Sequence, residues 1–250
     1  MKIKETVKVI SQDKIATDIY SMWIETSIAD SAKPGQFISV YTKNDVRLLP
    51  RPISICEIEK GKLRIVYRIA GEGTKEFSGY KSGDEIIILG PLGNGFPLLD
   101  DSAILIGGGI GIPPMLQLAK SLSCEKNIVV GYRNELFLNS ELEKYGKVTI
   151  ATEDGSMGTK GNVIDAIKAE GIKGKVIFAC GPVPMLRGIK QYAKENGITA
   201  YISMEERMAC GVGACLGCVC KSKDVDDHSK VNNKRVCADG PVFNAEDIDI

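Results

Sequence analysis

The sequence lacks an excess of either charge. Lys plus Arg and Asp plus Glu both number 32 in the 250-residue chain, so the formal net charge is zero. Nucleic acids and anionic membranes attract basic surfaces, so this balance argues against both as main partners. No apolar stretch approaches the roughly 18 residues of a membrane-spanning helix, and the N-terminal segment has no signal-peptide core. We therefore expect a soluble, cytoplasmic protein.

Histidine is almost absent. The chain has a single histidine, His228, which lies in the polar stretch DVDDHSK. A histidine in such surroundings is expected to be solvated rather than catalytic. The sequence therefore shows no obvious constellation for acid–base or nucleophilic catalysis.

Cysteine, in contrast, is abundant, and five of the eight cysteines fall between Cys210 and Cys237. In a chain without a secretory signal, such clustering indicates a metal or redox site rather than a disulfide framework. Four residues separate Cys210 from Cys215, two separate Cys215 from Cys218, and Cys237 follows after a longer gap. This is the plant-type spacing for a 2Fe–2S cluster held by four thiolates. A tight ligand loop needs backbone that tolerates positive φ, which three residues supply: Gly211, Gly213 and Gly217.

A structural zinc ion is the alternative occupant of the cysteine cluster. Zinc ribbons normally use paired C-x-x-C knuckles, and because the tail holds only one such close pair, we favour the iron–sulfur cluster. Cys220 competes with Cys218 for the third ligand position, although the spacing favours Cys218. We interpret Cys56 and Cys124 as small buried hydrophobic residues.

The pattern of apolar residues changes twice along the chain. Short alternating strands separated by turn residues predict an antiparallel β-barrel over residues 1–99, which ends in the linker-like segment GPLGNGFPLL. Strands then alternate with helical patterns over residues 100–204, including one helix predicted at 136–145, which predicts a parallel α/β sheet. Residues 205–250 have little apolar material, so we expect this third segment to fold around whatever its cysteines hold.

Two glycine turns follow predicted strands of the α/β segment. The first, ILIGGGIGIPPM, offers Gly107, Gly108, Gly109 and Gly111 where a backbone can approach a pyrophosphate, although two prolines replace the later glycine of the usual fingerprint. Alone, these glycines are equally compatible with a simple tight turn. The second turn is Cys180-Gly181-Pro182 in FACGPVPML. Ligands of open parallel sheets lie beyond the carboxyl ends of strands, so both turns indicate one nucleotide crevice, with Cys180 either in the core or against the reacting ring.

A third motif, RPISI, lies in the barrel segment and comprises Arg51, Pro52, Ile53, Ser54 and Ile55. By itself an Arg-Pro pair at a strand start indicates a turn with an exposed charge. Other residues of the barrel segment add an aromatic face, a second cation and free backbone amides: Tyr67, Arg68 and the turn at 71–74. Together these groups are suited to grip a diphosphate and a flat ring.

The motifs RPIS, GEGT, GGGIG and CGP, in this order and spacing, resemble the ferredoxin–NAD(P) reductase superfamily. Within it, ERMACGVGACLGCVC followed by RVCADGPVF resembles the electron-transfer subunits of class B dihydroorotate dehydrogenases. The resemblance covers essentially the whole chain, and the tail is its most specific part. It implies an FAD-binding barrel, a Rossmann-like NAD-binding α/β domain and a C-terminal 2Fe–2S subdomain, at the ranges given above.

The resemblance also implies particular site residues. FAD contacts are implied for Arg51, Pro52, Ile53, Ser54, Val66, Tyr67, Arg68, Gly73 and Thr74. NAD contacts are implied for Gly107, Gly108, Gly109, Gly111, Cys180, Gly181 and Pro182, with Cys180 closest to the chemistry. The implied cluster ligands are Cys210, Cys215, Cys218 and Cys237.

The implied activity is electron transfer in pyrimidine biosynthesis. A partner subunit with FMN would oxidise dihydroorotate, and this chain would pass the electrons through the cluster and FAD to NAD⁺. Nothing in the sequence indicates a site for dihydroorotate, so the substrate would belong to the partner subunit. We expect a heterotetramer with two copies of each subunit and the cysteine-rich tail at the interface.

Two classes of alternative remain open at this point. One is a subunit of the same superfamily that serves a hydrogenase, a sulfide dehydrogenase or a ferredoxin:NADP reductase. The other is a zinc-stabilised binding or redox-sensing module without turnover. NAD and NADP are also not distinguished, because Arg133 could meet a 2′-phosphate and Glu135 a ribose hydroxyl.

Overall fold

A computed structural model describes residues 2–43, 48–225, 227 and 230–250 of the chain. In its N-terminal part, antiparallel strands close into a barrel in the order β1-β2-β5-β4-β3-β6. The strands are β1 (Ile3–Ala16), β2 (Ile19–Glu25), β3 (Phe37–Tyr41), β4 (Arg51–Glu59), β5 (Lys62–Arg68) and β6 (Glu85–Leu92). Successive side chains of each strand alternate between the barrel interior and its outside. Ile86 and Ile88 are 2% and 0% exposed inside the barrel, whereas Ile87 between them is 41% exposed. A short helix, α1 (Glu72–Phe77), follows β5.

The second part of the chain builds a parallel sheet with helices on its faces. Its strands are β7 (Ala103–Gly108), β8 (Lys126–Tyr132), β9 (Lys147–Thr152), β10 (Thr159–Lys160), β11 (Val176–Cys180) and β12 (Thr199–Ser203). Its helices are α2 (Pro113–Ser121), α3 (Asn139–Leu142), α4 (Val163–Ala169) and α5 (Val183–Asn196). Strands β7, β8 and β11 are almost continuously apolar because both faces of the sheet are covered.

The cysteine-rich tail contributes a two-stranded hairpin, β13 (Val219–Lys221) with β14 (Asn233–Arg235), and a final strand, β15 (Val242–Asn244). Strand β15 pairs antiparallel with β12, so the larger sheet has the order β10-β9-β8-β7-β11-β12-β15. The tail therefore completes the edge of the α/β sheet as well as carrying the cysteines, which the sequence pattern did not indicate.

One hydrophobic cluster joins the barrel to the α/β sheet. Cys56 and Val66 of the barrel pack in the same buried cluster as Leu105 of β7 and Met115 of α2. Cys56 is 0% exposed, which agrees with its interpretation as a small buried hydrophobe. The described residues thus confirm the predicted fold class: an antiparallel barrel, a parallel α/β sheet and a cysteine-rich tail.

Two predicted features differ in the structure. The helix expected at 136–145 is only the single turn of α3, because Phe137 and Leu138, which supplied the helical spacing, are buried in a loop where Leu138 has a φ of 64°. The segment interpreted as a linker is tightly held: the Asn94 amide N–H donates to the Gly240 carbonyl at 2.6 Å. No helix within the described ranges is long and apolar enough to span a membrane.

Candidate functional site

The loop after β12 surrounds the sulfur of Cys210 with backbone donors. The amides of Val212 and Ala214 donate to this sulfur at 3.5 and 3.3 Å, and Cys215 adds further hydrogen bonds. Partial burial alone would raise the pKa of Cys210, but the combined hydrogen bonds outweigh it and lower the pKa to about 6. The Gly211 and Gly213 φ values of 69° and 91° permit this wrapping. The same expectation for Gly217 is wrong, because the positive φ there belongs to its neighbour Leu216, at 56°. The loop therefore favours a thiolate, the form that binds metals.

The predicted ligand cysteines form two hydrogen-bonded pairs. The Cys215 thiol hydrogen-bonds the Cys210 sulfur, and Cys237 does the same with Cys218, whose sulfur also accepts the Cys237 amide at 3.4 Å. Across the described ranges, no three His, Cys, Asp or Glu side chains are arranged to hold a single metal ion. Two thiol pairs fit a two-iron cluster, with two thiolates for each iron, better than one tetrahedral zinc that needs four ligands around one point.

The Cys220 thiol contacts a backbone carbonyl of the hairpin. Its sulfur lies 3.6 Å from the Lys234 carbonyl across the β13–β14 hairpin, and burial raises the pKa of the thiol to about 11. The geometry therefore favours Cys218 over Cys220 as the third ligand, in agreement with the spacing.

The predicted flavin-binding residues meet where β4 begins and α1 starts. A methyl group added to Gly73 would lie 2.7 Å from Nε of Arg51, so the guanidinium lies directly on the Gly73 backbone. Thr74 shapes the same turn, since its hydroxyl accepts from the amides of Ala70 and Gly71 at 2.9 and 3.2 Å. A cation beside a tight backbone turn is suited to a diphosphate.

The aromatic face predicted at Tyr67 is wrong. The Tyr67 side chain is 1% exposed in the barrel core, its ring stacks on Tyr20 at 6.0 Å, and its hydroxyl lies 2.7 Å from the Gln12 side chain. Strand alternation turns position 67 inward, so this residue can contact a flavin only through its backbone. Its neighbours Val66 and Arg68 point outward, toward the α/β sheet and toward solvent respectively.

The two predicted nucleotide turns lie side by side. Strands β7 and β11 are parallel neighbours with Gly107 opposite Cys180, so both turns leave the same edge of the sheet, as predicted. The approach is close, because a methyl group on Gly111 would lie 2.2 Å from the Cys180 carbonyl oxygen. Burial raises the pKa of Cys180 to about 12, despite a hydrogen bond with Ser203 that lowers it. The Cys180 thiol is therefore neutral near pH 7.

The three predicted binding regions adjoin one another. A methyl group on Gly109 of the nucleotide turn would lie 3.6 Å from the guanidinium of Arg68. On the other side, a methyl group on Gly211 of the cysteine loop would lie 3.1 Å from Oγ of Ser39, which pairs with Pro52 across β3 and β4. The barrel strands that carry the flavin motif thus lie between the nucleotide turn and the cysteine loop.

Several polar residues make contacts that the sequence did not indicate. The Glu135 carboxylate accepts the Thr17 amide at 2.9 Å, which lowers its pKa, so this side chain fastens the α/β domain to the barrel rim. Arg133 is exposed. Ser39 and Ser203 had no local sequence signal, because their roles depend on pairing with distant strands. The prediction for His228 lies outside the described residues.

Fold and site together define a ferredoxin reductase-like oxidoreductase with an added iron–sulfur domain. A chain in the structure of an NADH-dependent reduced ferredoxin-NADP oxidoreductase is similar over 97% of this chain and 89% of its own length, with a TM-score of 0.87 and 28% identity. A ferredoxin NADP⁺ reductase from Neisseria gonorrhoeae, solved with FAD and NADP, shares the fold at a TM-score of 0.65 over 82% of this chain and 94% of that chain, at 18% identity.

Sequence comparison makes the assignment more specific. Residues 205–249 match the family model described as the iron–sulfur cluster binding domain of dihydroorotate dehydrogenase B. Dihydroorotate dehydrogenase B (NAD(+)) electron transfer subunits from Fusobacterium nucleatum and Caldanaerobacter subterraneus are 42% and 40% identical, over 100% and 99% of both chains respectively. The chain belongs to this family of electron transfer subunits, which confirms the resemblance found in its motifs.

Proposed function

We propose that this chain passes electrons from the FMN of a dihydroorotate-oxidising partner subunit, through a 2Fe–2S cluster and FAD, to NAD⁺. The observation that carries the proposal is the position of the cysteine loop, which packs on β3 directly beside the flavin motif on β4. Membership of the electron transfer subunit family supports the same route.

Each predicted region has a separate role in this proposal. The cluster is held by Cys210, Cys215, Cys218 and Cys237. FAD is held in the barrel, residues 1–99, by Arg51, Pro52, Ile53, Ser54, Val66, Tyr67, Arg68, Gly73 and Thr74. The nicotinamide nucleotide is held in residues 100–204 by Gly107, Gly108, Gly109, Gly111, Cys180, Gly181 and Pro182. Residues 205–250 carry the cluster and complete the sheet.

The protein's contribution to the chemistry is positioning. A bound flavin exchanges a hydride with nicotinamide and single electrons with an iron–sulfur cluster. The chain needs no general acid or base for this, in keeping with the neutral Cys180 thiol, which offers the nicotinamide ring an uncharged surface. Arg51 would neutralise the charge of the FAD diphosphate. The glycine turn would let the pyrophosphate of the nicotinamide nucleotide come close enough to accept hydrogen bonds from backbone amides.

The remaining parts of the proposal concern assembly. Dihydroorotate oxidation is assigned to the partner, so this chain alone is not expected to turn over dihydroorotate. We propose a cytoplasmic heterotetramer with two copies of each subunit. The tail supports its interface, since Val212 and Leu216 of the cysteine loop are exposed apolar side chains.

The test is anaerobic coexpression with an FMN-containing dihydroorotate dehydrogenase subunit, followed by an assay of dihydroorotate-dependent NAD⁺ reduction. We expect the complex to reduce NAD⁺ and each subunit alone to be inactive in this assay. A complex that contains iron, sulfide and both flavins but does not couple dihydroorotate to NAD⁺ would refute the assignment. Colourless protein that contains zinc and no iron would instead support the zinc-stabilised module.

A second candidate is a subunit that exchanges electrons with ferredoxin and NADP(H). The similarity to a chain of the ferredoxin-NADP oxidoreductase over 97% of this chain favours it. The coexpression assay separates the two, because only the first candidate requires dihydroorotate. Parallel assays with NADP⁺ and reduced ferredoxin would detect the second.

A further inference from the structure

An arginine–aspartate pair lies beside the cluster cysteines. Arg235 ends β14, two residues before Cys237, and its Nε and Nη2 donate to the two carboxylate oxygens of Asp239 at 3.0 and 2.9 Å. The Arg235 amide adds a bond of 2.7 Å to the same carboxylate. Both side chains are mostly buried, with 19% and 24% exposed, so solvent screens the pair less than a surface ion pair. A bidentate fork of this kind is geometrically rigid.

The remaining guanidinium nitrogen of Arg235 contacts the loop that carries Cys210 and Cys215. Its Nη1 donates to the Gly213 carbonyl at 3.3 Å, in the loop between Cys210 and Cys215. The amide of the same glycine hydrogen-bonds Cys237. The guanidinium therefore connects the loop that carries the first cysteines with the turn that carries the last one.

The turn itself is fixed from the barrel side. Asn94, just after β6, donates its side-chain amide to the carbonyls of Ala238 and Asp239 at 3.2 and 3.0 Å. Its backbone amide donates to Gly240 at 2.6 Å. Because the turn is anchored, the carboxylate of Asp239 is a fixed support for Arg235 rather than a mobile surface group.

We propose that Arg235 and Asp239 are positioning residues that hold the two cysteine pairs at the separation of a 2Fe–2S cluster, and that their charges set its reduction potential. This inference rests on the proposed function. A lysine cannot replace the arginine, because one ammonium group cannot span both carboxylate oxygens and the Gly213 carbonyl with planar geometry. A fixed charge near the cluster changes the relative stability of its oxidised and reduced forms.

The experiment uses the full chain, matured anaerobically with iron and sulfide, in five forms: wild type, Arg235→Gln, Arg235→Lys, Asp239→Asn and Lys234→Gln. Lys234→Gln is the matched control, since it removes one positive charge a single residue away and leaves the fork intact. Two quantities are measured: the rate of cluster loss to a chelator, followed by visible absorbance, and the midpoint potential of the cluster. Flavin content reports whether the barrel is folded.

The three fork variants are expected to lose the cluster about tenfold faster than wild type, the effect of one charge-assisted hydrogen bond. The control keeps the wild-type rate. Potentials separate charge from geometry: Arg235→Gln lowers the potential, Asp239→Asn raises it, and Arg235→Lys stays near wild type. A general folding defect would not shift the first two in opposite directions.

The inference would be overturned if the fork variants lost the cluster at the wild-type rate, or no faster than Lys234→Gln does. It would also be overturned if the potentials of Arg235→Gln and Asp239→Asn moved in the same direction. Wild-type protein that takes up no iron or sulfide would overturn the proposed function itself. These outcomes therefore distinguish failure of this inference from failure of the proposed function.

Discussion

At the scale of single residues, Gly73 provides a test of the flavin site. A methyl group there would lie 2.7 Å from the Arg51 side chain, whose flexible end can move aside without disturbing the barrel. We expect Gly73→Ala to weaken FAD binding about tenfold, because displacement costs one charge-assisted contact, while the thermal midpoint of the flavin-free protein stays unchanged. Fluorescence titration with FAD measures the affinity.

The control for Gly73→Ala is Gly188→Ala on α5, where an added methyl group meets nothing within 4 Å. Equal FAD affinity in Gly73→Ala, Gly188→Ala and wild type would show that Arg51 does not need its present position.

The Cys180 thiol provides a second residue-level prediction. Burial raises its pKa to about 12, whereas hydrogen bonds hold that of Cys210 near 6, so at about pH 8 the first is a thiol and the second a thiolate. In cluster-free protein we expect iodoacetamide to modify Cys210 rapidly and Cys180 barely, as read by peptide mass spectrometry. Modification of Cys180 at the rate of Cys210 would contradict the neutral thiol assigned to the nucleotide crevice.

How far single residues were predictable depended on whether their signal was local. Cys210, Cys215 and Cys218 all lie within one nine-residue segment, so their spacing alone indicated the type of site. The inward orientation of Tyr67 and the bond of Glu135 to Thr17 depend on contacts far away in the chain. Neither could be read from neighbours in sequence.

At the scale of elements, a partly buried ion-pair network joins helices α2 and α3 to barrel strands β4 and β5. The Arg64 guanidinium donates hydrogen bonds to the carboxylates of Glu57 at 3.4 Å and Glu141 at 3.2 Å. The ammonium group of Lys120 on α2 donates to Glu57 at 2.9 Å. Removal of the arginine leaves Glu57, which is 13% exposed, paired with Lys120, and deprives Glu141, which is 32% exposed, of its arginine partner. We expect Arg64→Ala to lower the free energy of unfolding by about 2 kcal/mol through the lost charge-assisted hydrogen bonds, measured by urea denaturation.

Arg187→Ala on the exposed face of α5 is the matched control for this prediction. It should change stability by less than about 0.5 kcal/mol, as is usual for an isolated surface substitution. If both variants lost the same free energy, the network would not join the barrel to the helices.

Elements were predictable where periodicity was long and unambiguous. The barrel strands and the parallel strands showed clear patterns, whereas α3 was overestimated because its apolar residues are buried in a loop. Strand β15 was missed, since a three-residue strand with two apolar residues is too short a signal and its pairing with β12 is a long-range contact.

At the scale of the whole molecule, the tail is predicted to be inseparable from the α/β sheet. Strand β15 covers the edge of β12, and Phe243 packs in the same buried cluster as Ile202. A chain truncated after residue 204 should therefore have a lower thermal midpoint and aggregate at the uncovered edge. A truncated chain as stable and monomeric as the full one would show instead that residues 205–250 form an independent module.

In the proposed function, nicotinamide, flavin and cluster form one electron path within this chain. The most direct measurement is anaerobic titration of the purified, fully matured protein with NADH, followed by low-temperature electron paramagnetic resonance. We expect flavin bleaching and the rhombic signal of a one-electron-reduced 2Fe–2S cluster, without any partner subunit. A protein that contains flavin, iron and sulfide but whose cluster stays oxidised after NADH reduces the flavin would contradict the proposed path.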